Sequence, residues 1–461
     1  MTGAAAVIYD SPFAGRALHF IGIGGAGMSG LALVTRALGA EVTGSDRAES
    51  AHFARLREVG VRPAVGHEPG AVPGGAEVVV STAIDEGNPE LVSARAQGAH
   101  VRHRGDVLAE VARLRRTIAV SGTHGKTTTA SMTAHALLAS GRSPSYLIGG
   151  ELRSTGTNAA WGIGEWIVVE ADESDRSFLA IVPEVAVVTN VELDHHGTYR
   201  GLGELEAAFT EWIAGAGRAL VWKGLELGAA AETFGIDSGD MAAEGVTLLP
   251  GGSTFSVAGV DVRLRVPGRH NVLNALAALA ACRAAGLPLE EAAGALESFL
   301  GAGRRFEPVG RTAAGAEVYD DYAHHPTEVR ATLEAARTLS PERLVACFQP
   351  HLYSRTRRLA REFGAALALA DLVMVLEVYP SREDAADHPG VSGWLVAAAA
   401  ADAAGGRPVF FAPTRRDAGR ILEEELRAGD LLLTLGAGDV DAVAREVVET
   451  LRADTATAPP R

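Results

Sequence analysis

Residues 117–129 read TIAVSGTHGKTTT, and an alanine-rich stretch follows them. The strand formers Thr117 to Val120 run into a turn with glycines at 122 and 125, and the composition after Lys126 turns helical. A strand that ends in a glycine-rich turn and feeds a helix is the repeating unit of a parallel α/β sheet. Its backbone N–H groups converge on an anion at the helix start. Gly122, Thr123, His124, Gly125, Thr127 and Thr128 can therefore surround a polyphosphate, Lys126 can reach its β- and γ-phosphates, and a threonine hydroxyl can bind Mg²⁺. The stretch departs from the general phosphate loop in one respect, because Val120 stands where a glycine is expected five residues before Gly125. Among the 42 basic residues only Lys126 and Lys223 are lysines. A compact, rotatable ammonium at the phosphate position therefore stands out in a chain that otherwise uses arginine.

Downstream, two strand ends carry acids: Glu170-Ala171-Asp172-Glu173, and Asn190 through Glu192 and Asp194 to His195-His196. Parallel strands deliver their C-terminal ends to one edge, so Glu170 and His195 can join Thr127 around a metal ion. Asp172, Glu173, Glu192 and His196 are read as solvated loop residues. The run Asp194-His195-His196 also occurs in metal-dependent phosphoesterases, but these need aspartates on the first strand, which here ends in glycines.

Upstream, the strand Leu18 to Ile21 leads into Gly22-Ile23-Gly24-Gly25-Ala26-Gly27, then a helix near Met28 to Leu38, with Asp46 at the end of the next strand. This fits a dinucleotide fingerprint. The physics requires only a diphosphate and a ribose, so NAD and a UDP-sugar satisfy it equally, and a plain tight turn is the alternative. The candidate contacts are Gly22, Gly24, Gly25, Ala26, Gly27, Met28, Ser29 and Asp46.

At 461 residues and roughly 150 residues per domain, three domains are expected: 1–114, 115–303 and 304–461. Strand-like runs continue through the third at Glu317 to Tyr319, Leu344 to Phe348, Leu372 to Leu376, Val409 to Phe411 and Leu431 to Leu435. The expected class is therefore α/β, with three mostly parallel sheets. The leader Met1 to Gly15 and the tail Arg452 to Arg461 lack periodicity and are expected to be mobile. No export signal and no membrane-length apolar run is evident, and Cys282 and Cys347 cannot build a disulfide framework. A soluble cytoplasmic protein with no membrane insertion is expected. The formal charge of −15 opposes nucleic-acid binding. Oligomeric state is not legible.

Seven motifs occur in order: GIGGAGMSG (22–30), GTHGKTT (122–128), EADESDRSF (170–178), GRHNVLNA (268–275), GRRFE (303–307), DDYAHHPTE (320–328) and FQPHLYSRTR (348–357). With them the chain, from Leu18 to about Asp439, resembles the Mur ligase family, and within it the alanine-adding branch. The resemblance implies a Rossmann-like UDP-sugar-binding domain, a central P-loop ATPase domain, and a Rossmann-like C-terminal domain that closes over ATP with the amino-acid site. It implies UDP-N-acetylmuramate, L-alanine and ATP as partners. It also implies that Lys126 holds the β- and γ-phosphates, that Thr127 and Glu170 bind Mg²⁺, and that His195 binds a second Mg²⁺. Asn271 and Asn274 would meet the nucleotide, Arg305 its phosphates and Asp321 its ribose.

The amino-acid site would hold Tyr322, His324, His351 and Arg355, with Arg355 on the substrate carboxylate, because Leu352 stands where many relatives carry arginine. Blander roles are available: helix capping for the asparagines, a surface ion pair for Arg304 and Arg305, and a polar turn before Pro326 for His324 and His325. Several relatives also hold a metal through a carbamylated lysine in the helix after the His195 motif, whereas the stretch Leu202 to Ala214 has no lysine. The implied reaction is phosphorylation of a carboxylate followed by attack of alanine's amine. A peptide-recycling ligase of the same family, an NAD-dependent oxidoreductase and a non-catalytic ATP-binding module are the rivals.

Overall fold

Valine, isoleucine and leucine runs buried on both faces build three mostly parallel sheets, as such runs do when helices cover both sides. The structure, a computed structural model, describes residues 11–194, 197–228 and 230–456. The described residues divide into two compact units, one of those up to 245 with 255–263 and 273–300, the other of 246–254, 264–272 and those from 301 onward.

The first unit contains two sheets. One has five parallel strands in the order Ala64–Val65, Glu41–Asp46, Ala17–Ile21, Glu77–Val80 and Val101–His103. The other has a parallel core that runs Glu232–Ile236, Arg218–Trp222, Val185–Val188, Arg116–Ser121, Trp166–Glu170 and Ser145–Leu152, with Thr157–Ala160 antiparallel on the last. The helix Ala26–Ala37 packs against both sheets. Asn158 Nδ2 donates to Ala26 O at 2.6 Å, and a Cβ on Gly30 would come within 3.1 Å of the Asn158 amide. The first glycine turn is thereby fastened to the edge of the central sheet.

In the second unit six strands run in the order Glu307–Arg311, Glu317–Asp321, Asp430–Leu435, Arg343–Phe348, Leu372–Val375 and Val409–Phe411, with only the first pairing antiparallel.

The leader departs from expectation, because Phe13 is fully buried, with the Arg16 guanidinium 4.6 Å from its ring centre. Burying that ring ties down the residues just before the first strand. At the other end, the helix Asp441–Ala456 runs on into the stretch expected to be mobile.

Candidate functional site

The loop after Arg116–Ser121 owes its shape to two glycines and to the end of the neighbouring strand. Gly122 has φ +127° and Gly125 has φ +79°, a region that other residues avoid. A Cβ on Gly125 would also collide with the Asn274 amide, so that asparagine lies directly against the loop. Thr189 and Asn190, which follow the strand Val185–Val188, latch the loop from below. Thr123 N donates to Asn190 O, His124 N donates to Asn190 Oδ1 at 2.8 Å, and Thr189 Oγ1 donates to His124 O at 2.6 Å. This latch fixes the turn without the glycine expected at Val120, which is a fully buried strand residue.

Gly125 caps the helix Lys126–Ala139 with no side-chain hydrogen bond, so backbone groups, not a capping residue, face the loop. Lys126 Nζ donates to Gly122 O at 2.6 Å and to Thr123 O at 3.0 Å, and pairs with Glu173 at 2.9 Å. Burial alone would lower its pKa, but Glu173, Asp172 and Glu170 outweigh burial and raise it. The ammonium is therefore charged at any physiological pH.

The Thr127 hydroxyl donates to Glu170 Oε1 at 3.0 Å, and Gly149 N donates to Glu170 Oε2 at 2.6 Å. A hydroxyl and a carboxylate side by side at a phosphate loop form a hard oxygen donor set, the kind that Mg²⁺ takes. Gly149 leaves this carboxylate no slack, because a Cβ there would lie 2.7 Å from Oε2 and 2.9 Å from Oε1. Gly149→Ala should push Glu170 off Thr127 while sparing the strand, because Gly149 itself is exposed. Its expected effect is about a tenfold rise in the Mg²⁺ concentration that supports half-maximal turnover, with melting temperature unchanged. A wild-type Mg²⁺ titration in the variant would contradict this.

Glu173 is not the solvated loop residue that its sequence suggests, and Asp172 and Glu192, though partly exposed, are paired. Glu173 is fully buried against Lys126, with Tyr199 Oη donating to its backbone carbonyl at 2.6 Å. Asp172 pairs with Arg104 at 2.6 Å. Burial would raise its pKa, but Arg104 and Lys126 hold it well below the usual carboxylate range. Glu192 Oε2 meets His124 Nε2 at 2.8 Å, and its backbone carbonyl accepts from Thr123 Oγ1 at 2.9 Å. Short polar segments conceal such pairing, because the partners come from other parts of the chain. His195 and His196 fall outside the described residues. Lys223 is exposed just past Arg218–Trp222, and the helix Leu202–Ala214 contains no lysine.

At the first turn, Gly22 takes φ +82° and its N–H donates to Ser45 O at 2.8 Å. Asp46 Oδ2 accepts from Gly24 N at 2.9 Å, which holds the carboxylate beside the turn. Gly25 precedes the helix Ala26–Ala37 without a side-chain cap. Gly27 lies near Arg104, whose Nη1 would be 3.4 Å from a Cβ there. Met28 and Ser29 are buried, and the Ser29 hydroxyl donates to Ala26 O at 3.0 Å. Contact with a ligand from these two must come through the backbone.

Asn271 and Asn274 are both buried, on the helix Arg269–Ala284. Asn271 Nδ2 donates to Pro267 O at 2.7 Å, and Asn274 Oδ1 accepts from Thr129 Oγ1 at 3.3 Å.

In the second unit the residues expected around the amino acid come together. The rings of Tyr322 and His324 are 5.3 Å apart and those of His324 and His351 6.0 Å apart. Arg355 Nη1 lies 3.2 Å from His351 Nδ1, and its side chain is buried. Tyr379, which the motifs did not point to, stacks on His351 at 5.9 Å, and its backbone carbonyl accepts from Leu352 N at 3.0 Å. That contact accompanies φ +69° at Leu352, where the chain turns into the helix Tyr353–Leu367.

The guanidinium carbon of Arg305 is 5.2 Å from the centre of the Tyr322 ring. Asp321 is buried, and its two oxygens accept from Phe306 N at 2.8 Å and Ala323 N at 2.7 Å. Burial pushes its pKa up to about 6, against the lowering effect of Arg305 and those two bonds. His325 caps the helix Pro326–Arg337 in a reciprocal box with Glu328.

Three family descriptions match consecutive parts of the chain: "Mur ligase family, catalytic domain" at residues 17–116, "Mur ligase middle domain" at 120–282 and "Mur ligase, glutamate ligase domain" at 304–438. The UDP-N-acetylmuramate–L-alanine ligase of Kineococcus radiotolerans is 46% identical over 98% of this chain and 99% of its own length. That of Acidithiobacillus ferrooxidans is 44% identical over 94% and 97%. The solved UDP-N-acetylmuramate–alanine ligase of Thermotoga maritima superposes with a TM-score of 0.84 at 30% identity, covering 95% of this chain and 99% of that one. A murein peptide ligase from Psychrobacter arcticus gives 0.72 at 25% identity, with the same coverage.

Proposed function

The chain belongs to the Mur ligase family, and from that premise we infer that it joins L-alanine to the lactyl carboxylate of UDP-N-acetylmuramate with hydrolysis of ATP to ADP and phosphate. The observation that carries this reading is the largely enclosed Lys126 between Gly122 O, Thr123 O and Glu173, beside Thr127 and Glu170. That is machinery for phosphoryl transfer. The alanine-adding relatives at 44–46% identity, set against 25% for the murein peptide ligase, favour a free amino acid over a recycled peptide.

A carboxylate does not exchange oxygen for nitrogen directly, since oxide is a poor leaving group, so it must first be phosphorylated. The lactyl carboxylate oxygen attacks the γ-phosphorus and ADP leaves, giving an acyl phosphate. Alanine's neutral amine then adds to the acyl carbon and inorganic phosphate departs. Lys126 bears on the β- and γ-phosphates and offsets charge that spreads over the transferring oxygens. Thr127 and Glu170 would hold Mg²⁺, which would supply charge neutralisation on the same phosphates. Asn274 braces the loop through Gly125 and Thr129.

Arg305, Asp321 and Asn271 keep their assignments to the nucleotide, and the first turn with Asp46 keeps the UDP-sugar. Arg355 serves the carboxylate of alanine, steadied by His351. Residues 1–114, 115–303 and 304–461 are assigned as the UDP-sugar, ATP and amino-acid domains. No helix among the described residues is long and apolar enough to cross a membrane. The reaction belongs in the cytoplasm, where ATP and nucleotide sugars are available.

Phosphate release from ATP tests this reading, measured with UDP-N-acetylmuramate and each amino acid in turn. Release should require the sugar nucleotide and L-alanine together. Equal release from ATP alone would overturn the ligase assignment.

A further inference from the structure

Lys126 is one ammonium in the field of three carboxylates, Glu170, Asp172 and Glu173. Such a set carries net negative charge, which opposes the approach of a polyphosphate. Arg104, on the helix that follows a strand of the other sheet of the same unit, adds a second cation and reduces that charge. It opens the helix Arg104–Ala112 after the strand Val101–His103, and its Nη2 lies 2.6 Å from Asp172 Oδ2 and 3.4 Å from Asp175 Oδ2. Its other terminal nitrogen lies over Gly27 of the first turn, where a Cβ would approach to 3.4 Å. Ser174 N donates to Asp172 Oδ1 at 2.9 Å, so both oxygens of that carboxylate are directed away from free rotation.

We propose that Arg104 is a positioning residue for ATP: by engaging Asp172 it keeps that carboxylate from capturing Lys126, whose ammonium can then exchange Glu173 for phosphate oxygens. The proposal rests on reading the loop as an ATP site. Without Arg104, Asp172 becomes an unneutralised anion, and the other cation whose charge already acts on it is Lys126. The same loss would leave Lys126 paired to two acids, both competing with the nucleotide.

Binding of a fluorescent ATP analogue to the full-length protein reads this out without turnover. Arg104→Gln should weaken the affinity about tenfold, whereas Arg104→Lys, which keeps the charge, should stay within about threefold of wild type. The deciding variant is Arg104→Gln with Asp172→Asn, in which the competing carboxylate has also lost its charge. Affinity should return to within about threefold of wild type. A double variant as weak as Arg104→Gln would overturn the proposal. So would a tenfold loss in Arg104→Lys, which remains measurable even if Arg104→Gln does not fold. A loss confined to UDP-N-acetylmuramate affinity would instead make Arg104 a substrate contact at the first turn. Wild type that binds ATP but releases no alanine-dependent phosphate would sink the ligase reading alone, and the affinity series would still decide the role of Arg104.

Discussion

Lys126→Arg is expected to lower turnover by about two to three orders of magnitude, although the positive charge is kept. The ammonium fits because its three donors point in three directions, to Gly122 O, Thr123 O and Glu173. A guanidinium is planar and larger, and its donors fan out in one plane, so it cannot meet two backbone carbonyls of a tight loop and still face a phosphate. Gly122 and Gly125 are already held in backbone conformations that a bulkier neighbour cannot relax. The loss should appear mainly in kcat, with a folded protein by circular dichroism. Turnover within a few-fold of wild type would mean that Lys126 does not touch the transferring phosphoryl group.

Glu170→Gln should have the second-largest effect, a fall in turnover of about a hundredfold that excess Mg²⁺ restores in part. The substitution is nearly isosteric. The amide oxygen can still accept from Thr127 or Gly149, so the strand Trp166–Glu170 and the loop should keep their shape. What is lost is the anionic oxygen beside the Thr127 hydroxyl, and with it the attraction for a divalent cation. A variant with unaltered rate and unaltered Mg²⁺ dependence would place the metal elsewhere.

Much of this was legible because the central strands announce themselves. Leu344 to Phe348 and Leu431 to Leu435 are continuous apolar runs, and both become buried parallel strands within a residue of the expected bounds. Short or glycine-interrupted strands do not announce themselves. Ser145–Leu152 contains two glycines and is exposed over part of its length, and Ala64–Val65 has only two residues. Neither carries a pattern that separates it from a loop.

The same contrast holds at the site. Lys126, Thr127 and Glu170 lie close together, as expected of residue types that phosphate and metal chemistry demand at strand ends. Thr189, Asn190 and Tyr379 were missed because their work is to hold other residues through backbone atoms, which any polar or aromatic residue in sequence could do. Asp172 and Glu173 were misread because their partners, Arg104 and Lys126, lie 68 and 47 residues away in the chain. Arg104 lies on a helix that follows a strand of the other sheet, and no local pattern in the sequence records such a pairing.

The central claim is that the chain phosphorylates the lactyl carboxylate before the amide forms. It is tested most directly by placing ¹⁸O in that carboxylate and analysing the phosphate released during turnover with L-alanine. The attacking oxygen bonds to the γ-phosphorus and leaves with it when the amine displaces phosphate. One labelled oxygen should therefore appear in each phosphate formed from fully labelled substrate. Unlabelled phosphate, with the amide still produced, would contradict an acyl phosphate and with it the account of what Lys126 and Glu170 do.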